Sequence, residues 1–448
     1  MGSRNISILF FLGALFFVWP IPGTIALRHL LMVLSLTILT YAAFRHRADF
    51  MLPPALRMPL VWLGALTAWI IAGAVLISPE PSWSLKEIRG QWLIALAALL
   101  IGFLAASPWV SRRGTPVSRV IAVVFAGLLI HVLYVDYIGL AQLVMTGTLP
   151  SRVAGLTEGM DKSNYLTNML MAFLLAEIFF RASFGKRTLP FDNALLAAIV
   201  LATLFSSYLE AVRNGMIGLI IMSLSLTGLY WYENRGKHSF FRLGLTFFAI
   251  IATAGIFSSF YAQSDPRWKS FIETVPIALD TEHHKAWLNR VQYPYPTLAD
   301  GTMVNASNYE RVAWIKEGLL LIADHPLGIG YGRNAFGHAL HVKYGVAGVG
   351  HSHSGLIDLG VGTGIPGILL WLGFVGSLMS VAWKRYNGHK SYFALVLLFI
   401  VAGFFSRMLV DSISRDHMLQ QFLFLAGLLA LVMLKENQDL QPPEKPSR

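Results

Sequence analysis

The sequence predicts an all-α polytopic membrane protein, with about 12 transmembrane helices and a large polar loop between spans 9 and 10. Three observations carry this. Of 448 residues, 55% are apolar and only 13% charged, against roughly 25% charged in soluble domains. The apolar residues fall into runs of about 17–25, long enough to cross a bilayer as helices. The Lys and Arg residues behind the net charge of +11 cluster in the connections after even-numbered runs, as the positive-inside rule expects. The basic balance is therefore explained by membrane orientation, and no nucleic acid partner is expected. The absence of cysteine excludes disulfides and thiolate chemistry.

In order, the spans fall near 6–22, 25–44, 59–78, 90–106, 120–143, 164–181, 192–210, 214–232, 240–262, 355–383, 391–409 and 417–434. The first follows Arg4 like a signal peptide, but no A-x-A-like site comes after it, so it is kept as a span. Arg45, Arg47 and Arg57 follow span two, and Arg112, Arg113 and Arg119 follow span four. Arg181, Lys186 and Arg187 follow span six; Arg235, Lys237 and Arg242 span eight; Lys384, Arg385 and Lys390 span ten. These connections and both termini belong on the cytoplasmic side, which turns the long loop outward. The chain then divides into spans one to nine (1–262), the loop (263–354), spans ten to twelve (355–434) and a polar tail (435–448). The tail's composition marks it as disordered.

Within the loop, Ser264 and Asp265 before Pro266 predict a helix start. Ser307 and Glu310 have capping-box spacing. Val312, Ile315, Leu319 and Ile322 then recur at helical spacing, and the helix should stop before Pro326. Glycines 328, 330, 332 and 337 follow as a turn-rich connection. Between about 280 and 306 no period is visible, which suits a mobile flap.

Three arginines lie on outward segments, against the charge bias: Arg152, Arg213 in the YLEAVRNG turn, and Arg311 in the loop helix. A guanidinium fork binds phosphate bidentately and stays charged. The bland alternatives are snorkelling, or ion pairs of Arg213 with Glu210 and Arg311 with Glu310. His351 and His353 flank Ser352 at the mouth of span ten. Imidazole suits a general base near neutral pH. A structural polar role is one alternative. A zinc site with His338 and His341 is another, although H-x-H alone is a weak metal signal. His131, Asp136, Glu177 and Asp358 are ionisable groups inside spans, where they are costly. Asp358, just past His353, is placed to orient its imidazole; pairing within the bundle is the bland reading. A proton-coupled transporter would use such residues too, but it should show inverted repeats, and none is evident.

The chain has no phosphate loop, no dinucleotide fingerprint and no D-x-D pair. A glycosyl donor on the outer side would carry its own activation, as a polyprenyl diphosphate does. Trp268, Trp287, Tyr293, Tyr295 and Trp314 either stack on sugars or form an interfacial belt.

Four segments together resemble the O-antigen ligase and polymerase superfamily of bacterial surface glycan assembly. They are RVAGL at Arg152, VRNGMIG at Arg213, ERVAW…DHPLGIGYG from Glu310 to Gly332, and HSHSGLIDLGVGTGIPG from His351. The likeness covers the membrane layout and most of residues 145–370. Ser354 stands where the family often has Asn, and Gly362 near the place of a common acidic residue. The resemblance implies a glycosyltransferase-C-like fold in the bacterial inner membrane, with the active site and loop on the periplasmic side. It implies transfer of a glycan from undecaprenyl diphosphate to a sugar hydroxyl of lipid A-core, inverting and without metal or other cofactor. An O-antigen polymerase using the same donor is the near alternative. His353 would be the general base, Arg213 and Arg311 would stabilise the diphosphate, and Arg152, His351 and Asp358 would bind substrate.

Overall fold

A computed structural model describes residues 3–45, 52–107, 117–235, 271–345 and 348–436. The bundle begins with α1 (Ser3–Val18), α2 (Ile25–Arg45), α3 (Arg57–Leu76), α4 (Pro81–Glu87), α5 (Leu93–Ala105) and α6 (Val117–Thr146). It continues with α7 (Met160–Phe184), α8 (Asn193–Glu210) and α9 (Arg213–Asn234). The loop contributes α10 (Phe271–Leu279), α11 (Ala306–Asp324) and α12 (Ala335–Tyr344). The bundle closes with α13 (Gly355–His389), α14 (Tyr392–Met408) and α15 (Asp416–Lys435). Among the described residues, nine helical stretches are long and apolar enough to cross a membrane, and α1 and α14 are shorter apolar helices. They coincide with every predicted span except the ninth. That span and the predicted helix start at Ser264, Asp265 and Pro266 lie outside the described residues. The protein is an all-α, multi-pass membrane protein.

α7 and α15 are buried on nearly all sides; α15 is largely apolar around its circumference, whereas α7 also carries buried polar groups that bond within the bundle, among them Ser163, Asn164 and Asn168. α15 crosses α5 with backbones in contact: a Cβ on Gly102 would stand 2.0 Å from the Phe424 carbonyl oxygen. Small residues permit such an approach where lipid offers no hydrophobic drive between helices. The intramembrane ionisable groups are paired inside the bundle. Asp136 accepts from the Ser206 hydroxyl at 2.5 Å, and His131 Nε2 meets the Phe17 carbonyl at 2.9 Å. Glu177 accepts from Arg181 Nε at 2.7 Å at the end remote from the loop.

α13 is broken at Gly364, whose φ of 69° lies in the left-handed region. The break strands backbone groups that a lipid environment would leave unsatisfied. The connection after α11 satisfies them. Ile329 N donates to the Val361 carbonyl (3.1 Å), Gly330 N to Gly362 (3.0 Å), and Ile365 N to Pro326 (2.9 Å). Trp69 Nε1 donates to Thr363 O at 2.7 Å. A Cβ on Gly364 would come within 2.3 Å of Pro326 O. The glycines of GIGYG and TGIPG thus mark a backbone-to-backbone seam between loop and bundle, beyond the simple turn the sequence suggested.

The loop helices enclose a second apolar core containing Trp287, Leu298, Val304, Tyr309, Trp314 and Phe336. Three expectations change here. The stretch from 280 to 306 is packed rather than a loose flap. A short antiparallel bridge joins Thr297 to Met303, and the Tyr309 hydroxyl donates to His284 O at 2.6 Å. Trp287 and Trp314 are core residues, with Trp314 Nε1 donating to Trp287 O at 2.8 Å, so they neither form a belt nor offer open faces to sugars. The α11 cap is Asn305, whose side chain accepts from Asn308 N at 3.2 Å, not Ser307. Asn is at least as good a cap, and its position two residues earlier starts the helix sooner. The helix ends at Asp324, before Pro326, as predicted.

Candidate active site

The string HSHS forms the corner where the loop re-enters the bundle. Ser354 caps α13, its hydroxyl accepting from Ile357 N at 3.4 Å. His353 has φ +57°, uncommon for a residue with a Cβ. A buried network holds this geometry. Asp358 Oδ1 accepts from the Ser352 N–H (2.8 Å) and hydroxyl (2.7 Å), and Oδ2 accepts from the Ser412 hydroxyl (2.6 Å). Asp358 was expected to orient the His353 ring or touch substrate; its carboxylate instead fixes the backbone of the corner. The ring itself lies flat on Trp314, with centroids 5.1 Å apart and planes 14° apart. The His351 ring is 4.4 Å from it.

Both imidazoles are half-buried, and burial disfavours their charged forms. Burial first, then the Arg311 charge, pushes His353 down to about 4. Burial first, then the Arg415 charge, pushes His351 down to about 3. At neutral pH both rings are uncharged, so each has one ring nitrogen able to accept a proton.

Arg213 opens α9, directly after the tight turn at Ala211, whose φ is +52°. Its Nη1 donates to Asn308 Oδ1 of α11 at 2.8 Å. Arg311 of α11 donates in return to Asn214 Oδ1 of α9 at 3.0 Å. This reciprocal pair clamps the loop helix to the α8–α9 hairpin. The ion pairs considered from sequence are not the ones formed. Glu210 accepts from Ser163 (2.7 Å), Asn164 (2.7 Å) and Thr167 (2.8 Å), and Glu310 accepts from the Tyr295 hydroxyl at 2.5 Å. Arg152 is exposed on the connection before α7, which is tied to the hairpin by Val153 N donating to Leu209 O at 3.1 Å.

A cleft of about 270 Å³ lies at this junction, lined by Arg152, Arg213, Arg311 and His353, with Asn214, Ser307, Asp161 and Asp411 among its walls. Four of the six sequence-predicted residues therefore share one cleft. His351 and Asp358 do not line it. Among the described residues, no three His, Asp or Glu side chains come together as a metal-ligand set.

Asp411 escaped the sequence reading. One carboxylate oxygen accepts from Arg407 Nε and Nη2, both at 3.1 Å. Arg407 is buried and also reaches Asn164 Oδ1 (3.2 Å) and Asp161 O (2.6 Å). The available signal was an arginine within span eleven, followed four residues later by an acid, since such intramembrane charges are rarely idle.

Three guanidiniums and an uncharged imidazole thus share one loop-side cleft, groups able to hold an anion and to accept a proton. Residues 195–372 match the family model described as O-antigen ligase, which supports kinship with the O-antigen ligase/polymerase family. The matched region holds Arg213, Arg311, His351, His353 and Asp358, and leaves Arg152 and Asp411 outside it. Comparison with curated proteins gives no match.

Proposed function

We propose that the protein is an O-antigen ligase of the bacterial inner membrane, transferring a glycan from undecaprenyl diphosphate to a sugar hydroxyl of lipid A-core. The observation that carries this is the cleft in which Arg152, Arg213 and Arg311 stand with His353. Negative charge grows on the diphosphate as its bond to the anomeric carbon breaks. Fixed guanidiniums aimed at that charge supply the term that is usually largest in catalysis. The acceptor hydroxyl oxygen attacks the anomeric carbon, its proton passes to a ring nitrogen of His353, and undecaprenyl diphosphate leaves. Attack opposite the leaving group inverts the anomeric configuration. His351, whose ring lies 4.4 Å from that of His353, positions the acceptor. Asp358 is a positioning residue. The loop side faces the periplasm and both termini the cytoplasm, in line with the basic residues at the remote helix ends.

The test is reconstitution of the purified chain with lipid-linked glycan and lipid A-core, in EDTA and without ATP. A ladder on the core, with inverted linkage, is the expected product. Elongated lipid-linked glycan and no ladder would instead make the protein an O-antigen polymerase. Transport of substrate across sealed vesicles with no covalent product would make it a transporter. Loss of turnover on chelation, restored by zinc, would turn the histidines into metal ligands.

A further inference from the structure

We infer that α11 and the first third of α13 lie across the loop-side rim of the bundle, sunk into the headgroup–acyl boundary of the lipid leaflet there, with Leu319, Leu320 and Leu327 turned into lipid. Helix lengths carry this. α9 and α13 are tied together at both ends. At the end remote from the loop, the Tyr386 hydroxyl donates to Glu233 at 3.0 Å. At the loop end, Asn214 Nδ2 donates to Val410 O at 2.9 Å and Gly355 N to Asp411 O at 3.0 Å, so two adjacent residues hold both helix starts. Between these ties α9 covers about 33 Å. The same interval of α13, residues 355–386, is about 48 Å of helix. The piece after the break at Gly364, residues 365–386, is already about 33 Å long, enough to cross a hydrocarbon core of about 30 Å. The piece before it, about 15 Å long, therefore turns aside instead of continuing along the bundle. A contact across the bend agrees: a Cβ on Gly360 would meet Ile368 Cδ1 at 2.7 Å, although Ile368 is more than two helical turns further along the chain.

α11 shares this direction, because it packs antiparallel along the turned piece. A Cβ on Gly318 would stand 2.2 Å from Ile357 Cγ2, and one on Gly360 2.6 Å from Ile322 Cδ1. The outer face of α11 exposes Leu319 and Leu320, and Leu327 follows it, also exposed. The hydrogen bond from Ile365 N to Pro326 O sets Leu327 beside Ile365. There the exposed apolar line of α13 begins, with Ile365, Leu369 and Leu372, and this line faces lipid in a membrane-spanning helix. One apolar surface thus runs from the bundle onto the loop. Facing water, it would be an exposed patch of a kind that soluble surfaces avoid. Polar groups edge it. Lys343 reaches Glu317 at 2.9 Å and Asp324 at 3.1 Å, and Lys316 Nζ donates to Leu279 O at 2.6 Å, as long basic side chains do at an apolar boundary. The placement sets the arginine cleft level with lipid headgroups, where the diphosphate of a lipid-linked donor lies. That consequence rests on the function proposed above, whereas the placement rests on helix geometry.

The test reads no turnover, so it stands apart from the ligase assignment. The chain has no cysteine, and each single-cysteine variant carries its spin label at one known position. Leu320→Cys and Leu327→Cys would be labelled in nanodiscs, with Leu369→Cys as the lipid control and the exposed Val291→Cys as the water control. Collision with dissolved oxygen, relative to collision with a water-soluble nickel chelate, should be several-fold higher at Leu320 and Leu327 than at Val291 and approach the value at Leu369. Leu319→Cys supplies the same reading should a label at Leu327 prevent folding. Nickel collision at these positions as frequent as at Val291 would put the face in water and overturn the placement. Protection from both reagents would mean that protein covers the face, which overturns it equally.

Discussion

Arg407 and Arg213 stand at the same end of the bundle and are held in opposite ways. Arg407 is buried and gives two of its N–H groups to the Asp411 carboxylate. Arg333 behaves similarly, reaching Glu87 at 2.8 Å and Asp416 at 3.1 Å. Arg213 and its counterpart Arg311 reach the neutral amides of Asn308 and Asn214 and line the open cleft. The Asn308 and Asn214 amides position the two guanidiniums at the cleft wall, whereas the Asp411 carboxylate both positions and neutralises Arg407. The first placement suits an anion-binding wall and the second a structural tie.

The largest expected effects would separate the two kinds. Arg213→Ala and Arg311→Ala should each lower kcat by about 10²–10³-fold, as loss of one transition-state donor does, with melting temperature nearly unchanged. Arg407→Ala leaves Asp411 buried and uncompensated, which costs about 3–5 kcal/mol, and should show as poor insertion or a markedly lower melting temperature. Should Arg213→Ala unfold the protein while Arg407→Ala stays folded and inactive, the division proposed between them is reversed.

This contrast also marks what could be read from the sequence. The spans were legible because membrane length and charge bias leave a strong imprint on composition. Arg152, Arg213, Arg311 and His353 stood out because they break local rules, as outward arginines or as an H-x-H at a span mouth. Their meeting in one cleft was not legible, since it depends on α11 packing against the α8–α9 hairpin, 95 residues away for the Arg213–Asn308 contact. Asp411 was missed because an i,i+4 Arg–Asp pair reads locally as an ordinary helix-end ion pair. The role of Asp358 was misread for a related reason. Its nearness to His353 in sequence suggested the ring as partner, whereas Ser412, on the connection before α15, takes one of its oxygens. Trp287 and Trp314 were misread because an indole in an outward loop looks alike whether it faces lipid, sugar or a second core.

A smaller effect concerns how the imidazoles differ from the arginines, which keep their charge at every working pH. His353, held down to about 4, and His351, held down to about 3, are uncharged through the neutral range. In the unfolded chain both would protonate near 6.5. Between these values the unfolded state binds more protons than the folded one, so stability falls as pH drops from about 6.5 toward 4. Activity should follow a different boundary. The acid limb of kcat/KM reports the base of the free enzyme and should lie near 4, well below an ordinary histidine. A limb close to 6.5 would identify a solvated group as the base and remove His353 from that role.

The smallest effect isolates positioning from charge. Ser412→Ala removes one of the three hydrogen bonds to Asp358 and leaves every group in the cleft in place. A bond of this kind is worth about 1 kcal/mol, so kcat should fall a few-fold through a loosened His353, while KM for the lipid-linked donor stays level because the arginine wall is intact. Ser412→Thr, which keeps the hydroxyl, should recover most of the loss. If instead KM for the donor rises and kcat is untouched, the corner would be contributing to donor binding rather than to placement of the base. The distinction between a charged wall and a positioned imidazole would then have to be redrawn around Asp358.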